Sequence, residues 1–181
     1  MVKRHISKIP KRRVDSHKGD YGHVFVIAGS RGMTGAAFLT SQAAILSGSG
    51  LVTLGIPESL NPIMEVKLTE VMTLALPETK DASLANAAGK SILDFVESIS
   101  VVVIGPGLSK NKDTQALVRE LVEKIKKPIV LDADGINALA GHPEILKKRK
   151  GVTVLTPHPG EMARFIDEDI SYIQKNREKV A

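Results

Sequence analysis

Residues 21–56 decide the fold, and they read YGHVFVIAGSRGMTGAAFLTSQAAILSGSGLVTLGI. A short β-branched run at His23–Ala28 is followed by a glycine-rich loop, a helical pattern at Ala36–Leu46 and a second short run at Leu51–Ile56. Strand, helix and strand in this order are typical of a parallel β-α-β unit. Neither run alternates strictly with polar residues, as expected for strands that are covered on both faces.

The same alternation continues along the chain. It predicts an α/β fold with a mostly parallel central sheet and helices on both faces. Further strands are predicted at Val71–Leu76, Val101–Ile104, Pro128–Leu131 and Val152–Leu155. Further helices are predicted at Leu60–Lys67, Leu84–Val96, Thr114–Lys126, Gly135–Leu139 and Glu161–Ile166. The charged tail, residues 167–181, is also predicted to be helical, with a thin apolar face formed by Ile170, Ile173 and Val180.

Composition limits the class of protein. The chain has 181 residues, of which 43% are hydrophobic, so we expect one compact unit. Because it has no cysteine, disulfides and thiolate metal sites are excluded, and the cytoplasm is the default location. No apolar run approaches the roughly 20 residues that a membrane-spanning helix needs, so we expect no membrane association.

Basic charge is concentrated at the amino end of the chain. Residues 1–18 have a net charge of +6 and the rest of the chain has −1, which together give the net charge of +5. We therefore interpret residues 1–20 as a basic arm and residues 21–181 as the folded domain. A basic arm can contact phosphates, but aromatic residues make up only 3% of the chain and offer no stacking surface for nucleic acid. We expect the arm to lie over its own or a neighbouring subunit, without a nucleic acid partner.

Four loops that follow predicted strands carry unusual residues. Ligands of parallel α/β sheets bind at the carboxyl ends of the strands, so these loops form the candidate site. The first loop, AGSRGMTGAA at residues 28–37, lets a ligand approach bare backbone before a helix start, although a tight structural turn explains it equally well. The second, IGPGLS at residues 104–109, either offers Gly107 as main chain for a substrate to lie against or is a plain β-α turn.

The third loop, LDADG at residues 131–135, places two carboxylates two positions apart at the end of an apolar strand. If the strand continues, Asp132 and Asp134 point to the same side, where like charges shift each other's pKa or bind a cation. Asp134 has a second interpretation as the N-cap of the helix predicted to begin at Gly135.

The fourth loop, LTPHPGEM at residues 155–162, holds His158 between two prolines. Glu161 falls in the first turn of the following helix, where a carboxylate is favourable for structural reasons alone. Neither packing nor capping is expected to require a histidine at this position. His158 is therefore predicted to present a free imidazole to a ligand.

Taken in order, five blocks resemble the ADP-dependent NAD(P)H-hydrate dehydratase family. They run from about Lys18 to Phe165 and read KGDYGHVFVIAGSRGMTGAA, GSGLVTLGIP, VVVIGPGLS, PIVLDADGIN and VLTPHPGEMARF. The resemblance implies a ribokinase-like fold. It also implies that ADP, or alternatively ATP, phosphorylates the hydroxyl of the S form of hydrated NADH or NADPH. Transfer from ADP leaves AMP, and loss of phosphate then restores NADH or NADPH, a reaction that depends mainly on positioning and charge neutralisation.

The resemblance also implies roles for individual residues. Contacts to the hydrate are implied for Ala37, Gly107 and His158. Glu161 falls where related kinases hold a magnesium-associated glutamate, and at least one of Asp132 and Asp134 is expected to order water or Mg²⁺ near the phosphates. The family further implies Mg²⁺ as a cofactor and a homotetramer.

Two departures from the family pattern bear on function. Ser109 stands where the family usually has the second glycine of Gly-Leu-Gly. After Phe165 we find no match to the family's lysine-containing strand or to its Gly-Thr/Ser-Gly-Asp block, which supplies the catalytic aspartate. We therefore expect the domain to be incomplete at its carboxyl end, the chain alone to be inactive, and apolar side chains on its last strands to be exposed. The alternative functions are a ribokinase-like small-molecule kinase and a noncatalytic nucleotide-binding fragment.

Overall fold

The computed structural model describes residues 12–181, and its centre is a sheet of six strands. The strands are β1 (His23–Ile27), β2 (Leu51–Pro57), β3 (Met72–Leu76), β4 (Val101–Ile104), β5 (Ile129–Leu131) and β6 (Thr153–Leu155). They lie in the order β3-β2-β1-β4-β5-β6, and each neighbouring pair is parallel. All six predicted strands are confirmed, each to within one residue at either end.

Helices connect the strands. They are α1 (Thr34–Leu46), α2 (Asn61–Lys67), α3 (Gly89–Val96), α4 (Lys112–Lys124), α5 (Asp134–Asn137), α6 (Pro143–Lys148), α7 (Pro159–Ile166), α8 (Ile170–Lys175) and α9 (Arg177–Val180). Short 3-10 turns lie at Lys18–Tyr21, Glu58–Leu60 and Asn86–Ala88. The predicted tail helix is thus divided into two short helices at Asn176, whose ψ of 30° interrupts the helical hydrogen bonding.

One helix prediction was wrong in part, and one helix was not predicted. The helix predicted at Leu84–Val96 begins only at Gly89, because the preceding backbone is held by other segments. Leu84 forms an antiparallel bridge with Glu78, and its carbonyl accepts a hydrogen bond of 2.7 Å from Thr114 Oγ1. Helix α6 was not predicted, since its six residues are too few to show a clear apolar period.

Helices cover both faces of the sheet, as predicted. On one face, α1 and α2 enclose a core that includes Val26, Val52, Leu54, Ile56 and Met64. On the other face, a larger core is formed with α3 and α4 and includes Phe25, Ile27, Ile92, Val102, Ile104, Leu117 and Leu121. The apolar runs of the strands are therefore buried from both sides, which explains their lack of polar alternation.

Strand β6 forms one edge of the sheet, and apolar residues remain exposed there. Val152 is 67% exposed and Val154 is 47% exposed, whereas Val26, which occupies the register of Val154 in β1, is fully buried. Beside this edge lies a cavity of about 410 Å³ that is bounded by β6, by the start of α7 and by the tail helices. The predicted exposure of apolar side chains on the last strand is confirmed. Within residues 12–181, no helix is both long and apolar enough to cross a membrane.

The described part of the basic arm packs against its own chain. The Arg12 guanidinium lies 4.5 Å from the centre of the Tyr21 ring and donates a hydrogen bond to the Gly48 carbonyl. The Gly50 amide in turn donates to the Tyr21 carbonyl at 3.1 Å. These contacts lie at the amino ends of β1 and β2, away from the loops that follow the strands. The rest of the predicted arm, residues 1–11, lies outside the described residues.

His23 provides a test of the packing at the start of β1. Its Nε2 lies 2.8 Å from Thr53 Oγ1, and burial lowers the pKa of its imidazole below the usual 6.5. His23 in the unfolded chain therefore binds a proton at a higher pH than His23 in the folded chain. The stability that comes from neutral His23 is complete above pH 6.5 and is lost as the pH falls through the folded pKa.

We predict that the free energy of unfolding of the His23→Gln variant falls less steeply between pH 7 and pH 5 than that of the wild type. Urea unfolding at several pH values measures this slope. The control is His142→Gln, because the His142 side chain is 46% exposed and lies outside the core. A wild-type slope in His23→Gln would show that burial of His23 does not affect its protonation.

Candidate functional site

The loops after β1 and β4 are adjacent and joined by hydrogen bonds. Strand order reverses between these two strands, which is where ligands bind in open α/β sheets. The Gly29 amide donates to the Pro106 carbonyl at 2.9 Å, and Ser30 Oγ donates to the Gly107 carbonyl at 2.8 Å. The two glycine-rich loops therefore form one unit rather than two independent turns.

Gly107, in the loop after β4, and Ala37, in helix α1, are both predicted to contact substrate, and both are buried. A Cβ on Gly107 would be 2.9 Å from Met33 Cβ, so the bare main chain of Gly107 accommodates Met33 and not a ligand. Ala37 is fully buried, and its Cβ lies 3.0 Å from where a Cβ on Gly29 would be. The expectation that Gly107 offers exposed backbone is corrected. Both residues shape the loops, and their contact with substrate stays a prediction.

The loops after β4 and β5 approach each other through glycine. Gly105 has φ +130°, and a Cβ on it would lie 1.8 Å from the Asp132 carbonyl oxygen. A Cβ on Gly135 would likewise lie 2.5 Å from the Ile104 carbonyl oxygen. Any side chain at these two positions would force the loops apart. The glycines are therefore required for packing between loops.

Asp134 connects these same loops through its carboxylate. Its Oδ2 accepts a hydrogen bond of 2.9 Å from the Ser109 amide, and its Oδ1 accepts one of 3.1 Å from Asn137 Nδ2. Asp134 is not the N-cap of α5, since Ala133 holds that position and Asp134 is the first residue of the helix. Ser109 has φ +75°, which explains why the family usually places glycine there.

Asp132 makes a different connection. Its Oδ1 accepts a 2.7 Å hydrogen bond from Thr156 Oγ1, in the loop after β6. The two aspartates are thus held by different loops, Asp132 by the loop after β6 and Asp134 by the loop after β4. Their contacts are with neutral donors and give no sign of a shared cation. Together they join the loops of three neighbouring strands.

His158 caps helix α7, which corrects the expectation that capping does not require it. Its Nδ1 accepts hydrogen bonds from the amides of Gly160 at 3.0 Å and Glu161 at 3.4 Å. In return, Glu161 Oε2 accepts a 2.9 Å hydrogen bond from the His158 amide, which completes a capping box. Each nitrogen of the imidazole therefore already has a neighbour in the protein. Nδ1 serves the helix, and Nε2 lies 3.1 Å from Glu161 Oε1.

Glu161 does not have the surroundings of a metal ligand. Its side chain is only 9% exposed, and both carboxylate oxygens face His158. Among residues 12–181, no group of three or more His, Cys, Asp or Glu side chains is arranged to hold a metal ion. The expected magnesium role of Glu161 is therefore at odds with its contacts, and the described residues do not by themselves fit a magnesium site.

Sequence patterns predict no role for two residues at this edge. Asn137 in α5 and Arg164 in α7 both lie within the family-like blocks, but neither carries a spacing that predicts a contact. Arg164 Nε donates to Asn137 Oδ1 at 3.1 Å, which links the segment after β6 to the segment after β5. Such a contact depends on how α5 and α7 pack and is invisible to sequence periodicity.

Comparison with known proteins bears on the family of the chain. A family model described as NAD(P)H-hydrate dehydratase matches residues 24–181. The chain belongs to this family. The match continues past Phe165 to the last residue, so the similarity extends further than the five sequence blocks indicated.

Curated relatives include two enzymes described as bifunctional NAD(P)H-hydrate repair enzyme Nnr. The one from Moorella thermoacetica is 43% identical over 175 residues, which cover 97% of this chain and 33% of that protein. The one from Thermofilum pendens is 37% identical over 169 residues, which cover 93% of this chain and 32% of that protein. The chain therefore spans about a third of the length of these relatives.

Solved structures show the same fold. The ADP/ATP-dependent NAD(P)H-hydrate dehydratase from Bacillus subtilis, co-crystallised with ATP and Mg²⁺, is 34% identical with a TM-score of 0.75. The similarity covers 96% of this chain and 57% of that one. A ribokinase-like superfamily protein from Enterococcus faecalis has a TM-score of 0.73 at 22% identity, and covers 94% of this chain and 58% of that one. The predicted ribokinase-like fold is confirmed.

The backbone at Ala133 yields a stability prediction. Its φ of 47° and ψ of −114° fall in a region that residues with a Cβ rarely adopt. Such strain costs about 1–3 kcal/mol, while glycine adds entropy to the unfolded chain worth about 0.4–1 kcal/mol. We therefore predict that Ala133→Gly raises the free energy of unfolding by about 1 kcal/mol.

The control for this prediction makes the same chemical change at an ordinary helical position. Ala43 is exposed in the interior of α1, so Ala43→Gly should lower the free energy of unfolding by about 1 kcal/mol. Urea unfolding of both variants gives the two values. Equal destabilisation of the two variants would mean that the backbone at Ala133 is not strained.

The capping role of His158 gives a second prediction. His158→Ala removes the acceptor of the Gly160 and Glu161 amides and should destabilise the protein by about 1 kcal/mol. Asparagine is itself a strong N-cap residue, so His158→Asn should retain most of the stability. Thermal and urea unfolding compare the three proteins. If His158→Ala were as stable as wild type, the cap would contribute nothing to folding.

Proposed function

We propose that this chain forms the substrate-binding edge of an ADP-dependent dehydratase for the S form of hydrated NADH or NADPH. The observation that carries the proposal is the convergence of four strand-end loops at one edge of the sheet. Hydrogen bonds join them from Ser30 Oγ to the Gly107 carbonyl, from the Ser109 amide to the Asp134 carboxylate, and from Thr156 Oγ1 to the Asp132 carboxylate. Family membership supports this choice of substrate.

In the proposed reaction, ADP donates a phosphoryl group to the hydroxyl of the hydrated ring. The C–O bond of the resulting phosphate ester then breaks, phosphate leaves, a ring proton is lost, and the double bond of NADH or NADPH returns with AMP as the second product. The contribution of the described residues is to bind and orient the substrate. Preorganised donors and a rigid backbone suit this task, since phosphoryl transfer depends largely on positioning.

His158 has a defined part in this binding. Because backbone amides donate to its Nδ1, the neutral ring carries its proton on Nε2. In the proposed complex, an oxygen of the substrate shares the Nε2 proton with Glu161 Oε1, which lies 3.1 Å from Nε2, and the 62% exposure of the His158 side chain leaves room for it. Glu161, which is buried beside it, holds the ring and its backbone in place.

The remaining parts of the proposal concern the nucleotide, the metal and the assembly. ADP is proposed as the phosphoryl donor, with ATP as the alternative, and the relative from Bacillus subtilis was co-crystallised with ATP and Mg²⁺. If Mg²⁺ takes part, its ligands include groups other than residues 12–181, such as phosphate oxygens. A cytoplasmic homotetramer is proposed from family resemblance alone.

The proposal predicts that the chain binds hydrated NADPH more tightly than intact NADPH. The preference is expected because the hydroxyl is the group on which the reaction acts. Replacing His158 with Asn keeps the cap but removes Nε2, and should weaken binding of the hydrate about tenfold, or about 1.4 kcal/mol. Calorimetric titration of wild type and variant with both ligands measures the effect.

His142→Asn is the matched control, since His142 is another partly exposed histidine at a helix start and lies outside the strand-end loops. It should leave the affinity unchanged. Equal affinity for hydrate and intact NADPH would favour a noncatalytic nucleotide-binding fragment. Absence of hydrate binding at millimolar concentration would contradict the proposed function, and would leave a ribokinase-like kinase for another alcohol as the alternative.

A further inference from the structure

Asn137 lies between an arginine and an aspartate. Its Oδ1 accepts a hydrogen bond of 3.1 Å from Arg164 Nε, and its Nδ2 donates one of 3.1 Å to Asp134 Oδ1. These partners fix the orientation of the amide, because an arginine can only donate and an ionised aspartate can only accept. Asp134 is itself held by the Ser109 amide, so the chain of contacts begins at the loop after β4.

This arrangement leaves the positive charge of Arg164 without a negative partner. Within residues 12–181, none of the ion pairs closer than 4.0 Å involves Arg164. Arginine usually forms paired hydrogen bonds with carboxylate or phosphate through its planar fork. Here the neutral Asn137 takes one donor, Nε, and keeps the guanidinium from pairing with Asp134. The terminal nitrogens carry most of the N–H donors and share the delocalised positive charge, and they remain available.

The guanidinium also lies close to the candidate site. Its Nη1 is 3.7 Å from the position that a Cβ on Gly160 would occupy, one turn back along α7 and two residues from His158. The contact with Asn137 places it over α5, directly after the end of β5. An oriented and unpaired cation at the carboxyl ends of the strands suits an anionic ligand group.

We propose that Arg164 binds a pyrophosphate group of the nucleotide and that Asn137 is the positioning residue that holds it for this purpose. The identity of the nucleotide rests on the proposed function, whereas recognition of pyrophosphate rests on the contacts of Arg164 alone. Both ADP and the hydrated dinucleotide carry a pyrophosphate. The shared group is therefore the ligand, and separate probes distinguish its source.

The test measures binding of inorganic pyrophosphate, ADP, NADPH and adenosine to the chain by calorimetry. Arg164→Gln should weaken the binding of inorganic pyrophosphate at least tenfold. It should weaken the binding of ADP or NADPH equally, whichever of the two uses this site. Binding of adenosine should be unaffected. Arg164→Lys should lose part of the affinity, since lysine keeps the charge but not the fork. Arg177→Gln, in tail helix α9, is the matched control and should change nothing.

Variants of Asn137 separate positioning from structural support. Asn137→Asp places a carboxylate against the guanidinium and should weaken pyrophosphate binding about tenfold. It also faces Asp134 Oδ1, so its thermal transition should be lower than that of wild type. Asn137→Ala removes the orienting amide without adding charge and should weaken pyrophosphate binding less. A purely structural role would instead leave the affinity of both folded variants for pyrophosphate within twofold of wild type, which would overturn the assignment of Asn137.

The outcomes also separate this inference from the proposed function. If pyrophosphate binding depends on Arg164 but hydrated NADPH does not bind, the proposed function fails and the anion site stands. If hydrated NADPH binds and Arg164→Gln leaves all affinities within twofold of wild type, the inference is overturned and the proposed function stands. Lack of pyrophosphate, ADP and NADPH binding by the wild type would also overturn the inference.

Discussion

The contact on which the candidate site depends is the close approach of two backbones at Gly105 and Gly135. The Asp132 carbonyl oxygen occupies the space where a Cβ on Gly105 would lie, at 1.8 Å. Only this absence of side chains lets the loops after β4 and β5 touch. Once they touch, the Ser109 amide can reach the Asp134 carboxylate, and Asp134 can hold Asn137. The position of Arg164 follows from these contacts, since its Nε bonds to Asn137.

Hydrogen bonds to carboxylates compensate for backbone strain at this edge. Ser109 and Ala133 both have positive φ, at 75° and 47°, and each such residue costs about 1–3 kcal/mol. The Asp134 carboxylate, next to Ala133 in the chain, accepts hydrogen bonds from the Ser109 amide and from Asn137 Nδ2. A hydrogen bond to a charged group contributes about 1.5–3 kcal/mol, so the two effects are of similar size. Strained backbone that persists in this way is common at ligand sites, where it fixes a geometry that a relaxed loop would lose.

The strands could be predicted from sequence because their apolar runs are short, β-branched and bounded by glycine or proline. The order of these runs along the chain was sufficient for the fold, and the strand-end loops then indicated where the site lies. Helix boundaries were less predictable, as at Leu84–Val96, where a bridge to Glu78 overrides the local helical pattern. Local patterns contain no information about which distant segment takes a backbone hydrogen bond.

Within the site, sequence indicated the correct loops but not the contacts inside them. Gly107 and Ala37 are buried because the loops after β1 and β4 pack on each other, which no spacing reveals. His158 is a cap because its ring turns back to the Gly160 amide, a use of histidine that residue preferences do not favour. Asn137 was missed since its importance comes entirely from Arg164, 27 positions away.

His158 and Arg164 differ in their hydrogen bonding from the carboxylates at the same edge of the sheet. Asp132, Asp134 and Glu161 accept hydrogen bonds that join or cap segments of the protein, so these groups are used mainly to build the edge. His158 and Arg164 each have one nitrogen held by a neutral protein group, and both residues are exposed. Nε2 of His158 also lies 3.1 Å from Glu161 Oε1. Fixing these atoms restricts the side chains before a ligand arrives and lowers the entropy cost of binding. Both side chains are therefore oriented by the protein itself.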